Sequence, residues 1–109
     1  MQMHQIRYFL ALCAERNFTR AARRSGVSQP SLTNAISALE RELGGALFQR
    51  KPAVALTTLG HAVQPYLHRI AQEADQAREA AQALVEVRPT NGEAVTMDPV
   101  AGSELCSSS

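Results

Sequence analysis

Long apolar runs, paired cysteines and clustered histidines are all missing from this chain of 109 residues. No stretch approaches the ~20 apolar residues that would span a bilayer. His4, Arg7, Glu15 and Arg16 interrupt the first segment, so no secretory signal is read there and a cytoplasmic location is expected. The only cysteines, Cys13 and Cys106, stand far apart without a CxxC pair, which excludes a disulfide scaffold and a zinc site. Cys13 reads as a core thiol and Cys106 as an isolated thiol in a polar tail. His61 and His68 are seven residues apart, whereas two ligands on one helical turn need three or four, so neither metal nor cofactor is expected. A glycine-rich phosphate loop is absent, as is any nucleophile and base at readable spacing. An enzyme is therefore the least favoured class.

The small net charge of +1 hides an asymmetry. Residues 1–60 hold eight basic and three acidic side chains, a net of +5, whereas residues 61–109 hold three and seven, a net of −4. A basic half suits a polyanion and an acidic half does not. Nucleic-acid binding, if present, belongs to the first half.

What is present is helical periodicity. Ile6, Phe9, Leu10 and Cys13 form one apolar stripe on a helix from about Met3 to Arg16. Thr19 is read as the N-cap of a short second helix through Arg24, on which Ala21 and Ala22 admit close approach. Gly26 supplies a turn. Ser28 caps a third helix, with Pro30 tolerated in its first turn and Gly44 closing it. Leu32, Ile36, Leu39 and Leu43 make its inner face. Leu47 to Arg50 and Val54 to Thr57 are short β-compatible runs, read as a hairpin wing.

From Thr58 to about Val87 lies one long helical pattern. Val63, Leu67, Ile70, Ala74, Ala77, Ala81 and Leu84 alternate spacings of four and three, an a/d seam. Its three consecutive alanines imply close helix–helix approach, and Pro65 is expected to kink the helix or adjust it locally. So long a helix with so narrow an apolar stripe calls for a partner, a second copy in the first instance. A core this small also favours oligomerisation. Pro89 to Ser109 has no periodicity and reads as a disordered tail.

Two short helices joined by a three-residue turn can lay the later helix in the major groove of DNA. With the leucine–isoleucine face inward, its outer face carries Gln29, Pro30, Thr33, Asn34 and Ser37. Gln and Asn can pair bidentately with adenine, and Thr offers a hydroxyl and a methyl to thymine. Arg20, Arg23, Arg24, Arg50 and Lys51 are candidate phosphate contacts, which set register and supply affinity. Ser28 and Ser31, at the start of the third helix, join them. Arg7 and Arg16 are weaker candidates, since the first helix is expected to face away.

The blocks MQMHQIRYFLALCAERNFTRAA, VSQPSLTNAISALERELGGALFQR and LTTLG occur in that order. Together they closely resemble the N-terminal DNA-binding region of LysR-type transcriptional regulators, over about residues 1 to 88. The resemblance implies a mainly α fold, a winged helix-turn-helix over residues 1–57 followed by a long linker helix over 58–88, with 89–109 as the tail. It also implies base contacts at Gln29, Pro30, Thr33 and Asn34, a wing at the adjacent backbone or minor groove, and antiparallel pairing of linker helices. Two copies would then read the half-sites of a partly palindromic operator.

Three features depart from the family pattern. Ser25 stands where leucine is usual, so the turn is expected to pack less well. The wing is about one residue shorter, with Lys51 where basic residues often cluster. The chain stops where an effector-binding domain is expected, so no small-molecule effector site is carried over. Many relatives also carry arginine at the position of Asn34, which shifts preference here away from guanine. The expected partner is double-stranded DNA, bound by a homodimer. The alternative is an interaction protein that pairs through its linker helix with full-length relatives and modulates them.

Overall fold

The structure, a computed structural model, describes residues 1–87; the tail expected over 89–109 lies outside them. The element order is α1 (Met3–Glu15), α2 (Phe18–Ser25), α3 (Gln29–Leu43), β1 (Phe48–Gln49), β2 (Ala55–Leu56) and α4 (Thr58–Val87). Residues Met1–Glu73 form one compact unit, and the described residues from Ala74 on belong to a second.

In the first unit α1 packs against both α2 and α3, and these two pack against each other. Ile6, Phe9 and Leu12 of α1, Ala21 and Ala22 of α2, and Leu32, Ile36 and Leu39 of α3 are the buried side chains of this arrangement. The sequence stripe on α1 is displaced slightly. Leu10 and Cys13 are half-buried, while Leu12 is fully enclosed, because α1 meets two helices and its core face is wider than one i, i+4 row.

Local chemistry sets the corners. Arg16 takes a left-handed conformation (φ 53°), and its N–H donates to the Leu12 carbonyl at 2.8 Å, which stops α1. Asn17 is extended, and its Oδ1 accepts from the Arg20 N–H at 2.8 Å. The cap of α2 is therefore Asn17 and not Thr19, and the helix begins two residues before the expected Arg20. Both residue types suit the role; the left-handed Arg16 aims the chain so that Asn17 reaches it first. Gly26 closes α2 with φ 73°. Ser28 Oγ accepts from the Ser31 N–H at 3.2 Å, and Gly44 ends α3 with φ 91°.

The wing is a two-stranded antiparallel hairpin with Phe48 opposite Leu56 and Gln49 opposite Ala55. Its inner side is anchored by Leu47 and Phe48, and the Phe48 ring lies 5.4 Å from that of Phe9. Glu40 of α3 reaches its base: one carboxylate oxygen accepts from the Leu47 N–H at 2.8 Å and the Phe48 N–H at 3.4 Å. Just after the other strand, Thr57 Oγ1 donates to the Ala46 carbonyl at 2.6 Å and accepts from the Gly60 N–H at 3.0 Å. One hydroxyl thus closes the wing and caps α4.

α4 runs through Pro65 without a break. Leu67 and Ala71 are buried in the core of the first unit, and Val63 packs against it. In the second unit Ala77, Ala81, Leu84 and Val85 are exposed, and Asp75 and Arg78 form an i, i+3 ion pair at 3.1 Å.

Candidate nucleic-acid interface

α3 separates its two faces cleanly. Leu32, Ala35, Ile36 and Leu39 are buried. Gln29, Pro30 and Asn34 are exposed and Thr33 and Ser37 half-buried, so the five base-contact candidates share the side turned from the core. Four of the five carry polar side chains, and all stand on one helix, as reading of base edges requires.

The cationic candidates fall into two groups. Arg23 is exposed, and Arg50 and Lys51, in the loop between the two strands of the wing, are exposed too. Arg50 is not loose: its guanidinium carbon lies 5.0 Å above the Phe18 ring, a cation–π contact that ties the wing to the start of α2. Arg20 and Arg24 behave otherwise. Glu15, at the end of α1, takes Arg24 Nη1 at 3.0 Å and Arg20 Nε at 3.4 Å, while Arg20 Nη2 donates to the Glu15 carbonyl at 3.2 Å. Both guanidiniums are more than half exposed, so these pairs are weak and a phosphate can compete for them.

Ser28 and Ser31 are occupied with each other. Besides the capping bond, Ser28 Oγ donates to Ser31 Oγ at 2.9 Å. The pair leaves the exposed start of α3 organised around two hydroxyls. Beside them Thr19 Oγ1 donates to Gln29 Oε1 at 3.0 Å, a link that periodicity could not reveal.

The seven seam residues divide. Leu67 is 3% exposed and Val63 half-buried, both against the first unit's own core, so these two are not open to a partner helix. A heptad row cannot tell an intramolecular neighbour from an intermolecular one; both need the same spacing. Ile70 (40% exposed) and Leu84 (60%) do stand open, as do Tyr66 (60%), Ala77 and Ala81 on the same helix. Ala74 is half-buried.

Ser25, where leucine was expected, is half-buried beside Arg7, Leu10, Ala11 and Arg24, which line a surface depression with it. Its hydroxyl is therefore not sealed in an apolar pocket, where an unpaired group would be costly. Cys13 lines a cavity of about 180 Å³ with Arg16, His61 and Gln64. Burial pushes its thiol up to about 11, against the opposing pull of a Gln64 hydrogen bond and the Arg16 charge. At neutral pH it is a packed thiol. Among the described residues no cluster of His, Cys, Asp or Glu could hold a metal ion, and no helix is long and apolar enough to cross a membrane.

Residues 3–61 match the family described as bacterial regulatory helix-turn-helix protein, lysR family. The chain is 41% identical over 93 residues to the HTH-type transcriptional regulator BudR of Klebsiella aerogenes, covering 84% of this chain and 64% of that protein. It is 48% identical over 61 residues to the regulator ClcR of Pseudomonas putida, covering 55% and 21%. The chain thus spans under two thirds of the length of these relatives. Among solved structures, a CbnR DBD–DNA complex shares 35% identity and a TM-score of 0.71, covering 78% of this chain and 99% of that one. A BenM DBD complex with catB site 1 DNA shares 32% identity and a TM-score of 0.73, covering 78% and 97%. The winged helix-turn-helix expected from the sequence is the fold observed.

Proposed function

The chain belongs to the lysR family of bacterial regulatory helix-turn-helix proteins, and from that premise we propose that it binds double-stranded DNA in a sequence-dependent way and regulates transcription. The observation that carries this reading is the outer face of α3: Gln29, Pro30, Thr33, Asn34 and Ser37 side by side, backed by a fully packed inner face. Arg23, Arg50 and Lys51, with Arg20 and Arg24 once released from Glu15, take phosphates on either side. Ser28 and Ser31 add hydroxyl contacts at the helix start. Domains of similar fold solved in complex with DNA support double-stranded DNA as the partner.

In this reading residues 1–57 carry the DNA-binding machinery, and the linker helix over 58–88 pairs two copies so that they read a partly palindromic operator in the bacterial cytoplasm. Pairing uses the exposed positions of α4, namely Ile70, Ala77, Ala81 and Leu84. Val63 and Leu67 instead fix the helix to its own domain.

The test is selection of bound duplexes from a random library, with affinity of the winners followed across salt. An inverted repeat should be enriched, and log affinity should fall against log salt with a slope of about −0.9 per phosphate contact. Absence of enrichment would refute sequence-dependent binding. Enrichment of a single half-site bound by one copy would refute the dimer. Loss of a full-length relative's binding on mixing would instead favour a partner that forms mixed dimers.

A further inference from the structure

Thr19 belongs to neither the core nor the outer face of α3, yet it touches the residue that opens that face. It is exposed, in the first turn of α2, and Asn17 fixes the backbone of that turn through its cap. From there Thr19 Oγ1 donates to Gln29 Oε1 at 3.0 Å, across ten residues of sequence. Gln29 is the first residue of α3 and is itself exposed. Without a neighbour its side chain would sample several rotamers and present either end of its amide.

The chemistry of the amide gives that contact a consequence. The oxygen only accepts and the nitrogen only donates. A threonine hydroxyl can donate or accept; in the arrangement seen here it donates to Oε1, which leaves the Nε2 group, a donor, as the free arm. In the major groove a donor meets acceptors at purine N7, guanine O6 and thymine O4, whereas cytosine presents only its N4 amino donor.

We propose that Thr19 is a positioning residue for base discrimination: it holds Gln29 as a hydrogen-bond donor, so that the base facing Gln29 is a purine or thymine and cytosine is rejected. This deepens the DNA-reading function and rests on it. Neighbouring Phe18 holds Arg50 of the wing, so the start of α2 aligns a base reader with one residue and a phosphate contact with the next. Thr19→Val removes only the hydroxyl and leaves the Phe18–Arg50 contact in place, which separates the two roles.

The experiment is duplex selection from a random library with the full chain as wild type, Thr19→Val, Thr19→Ser, Gln29→Ala and the double variant T19V/Q29A, each checked for folding by circular dichroism. Gln29→Ala identifies the base position that Gln29 reads, as the one whose preference disappears. At that position the wild type should disfavour cytosine, and Thr19→Val should weaken the discrimination about threefold to tenfold, the range for one neutral hydrogen bond. Thr19→Ser, which keeps the hydroxyl, should retain it. In the Gln29→Ala background Thr19→Val should change nothing further, since its effect passes through that side chain. Equal weakening of every duplex by Thr19→Val would overturn the proposal and make Thr19 a plain affinity contact. Enrichment of cytosine at the Gln29-dependent position of the wild type would overturn it too, because Gln29 would then be presenting its oxygen. A wild type without any base preference would overturn the DNA-reading function itself, and this inference with it.

Discussion

Gly60 occupies the first turn of α4 where that helix passes under the wing, and replacing it with alanine sets two effects against each other. A Cβ there would overlap the Leu47 carbonyl oxygen and stand 2.7 Å from Leu56 Cδ2 and 3.2 Å from the Leu47 carbonyl carbon. The leucine methyl can rotate away. The carbonyl cannot, because it accepts the Thr57 N–H at 3.0 Å and lies between the two residues Glu40 and Thr57 secure. Overpacking of this kind costs ~1–3 kcal/mol, and loosening the Leu47–Thr57 bond adds ~0.5–1.5 kcal/mol. Alanine regains at most ~1 kcal/mol over glycine in a helix, and less in the first turn. The clash wins. Gly60→Ala should lose about 1–4 kcal/mol, lowering the urea midpoint by roughly 0.5–2 M at a slope of ~2 kcal/mol/M. Gly45→Ala is the control: its Cβ meets only the flexible Leu59 Cδ2 at 3.1 Å, so the midpoint should move little. Urea unfolding followed by circular dichroism measures both. A Gly60→Ala protein as stable as wild type would show that the wing yields, and the argument from a fixed carbonyl would be wrong.

Three further outcomes are expected. Glu40→Ala should destabilise by ~1.5–3 kcal/mol, since the amides of buried Leu47 and Phe48 lose a charged acceptor, and Glu40→Gln by less; indistinguishable urea curves would show the contact to be idle. Leu67→Ala should cost ~2–5 kcal/mol as a core truncation, whereas Ile70→Ala should leave urea stability nearly unchanged and reduce dimer mass in sedimentation equilibrium; the reverse pattern would put the wrong residue inside. Cys13 favours its protonated form in the fold, with a thiol raised from 9.0 to about 11. The stability it contributes is present below pH 9 and drains away as pH rises from about 9 towards 11, at up to ~2 kcal/mol. Unfolding free energies of wild type and Cys13→Ala at pH 8 and pH 10.5 should therefore converge, and parallel values would refute the linkage.

The elements most legible in the sequence were those whose signals are local. Ser28, Gly44 and the Leu32–Ile36–Leu39 row bound and orient α3 by themselves, and α4 follows its periodicity from Thr58 to Val87. The outer polar face came with them, being what the inner face leaves over. What stayed hidden depends on neighbours distant in sequence. The Asn17 cap requires the left-handed Arg16, a conformation that no propensity favours at an arginine. Arg20 and Arg24 read as ready phosphate contacts until Glu15 arrives from another helix. Glu40 looks like a surface charge at the end of α3 and proves to be the acceptor for the wing. Thr19 was read as a cap and turned out to grip Gln29.

On the proposed reading, Glu15 bears on motion along DNA. A carboxylate seated between Arg20 and Arg24 is a resident rival to any phosphate, and its effect is the same on every duplex the protein meets. On the proposed reading it leaves the ranking of sites to α3 but loosens the hold on all of them, so the dwell on a wrong stretch shortens. A protein that searches a long polymer by sliding and hopping is limited by such dwells. On that reading, blunting two of its own arginines exchanges some grip for speed of search.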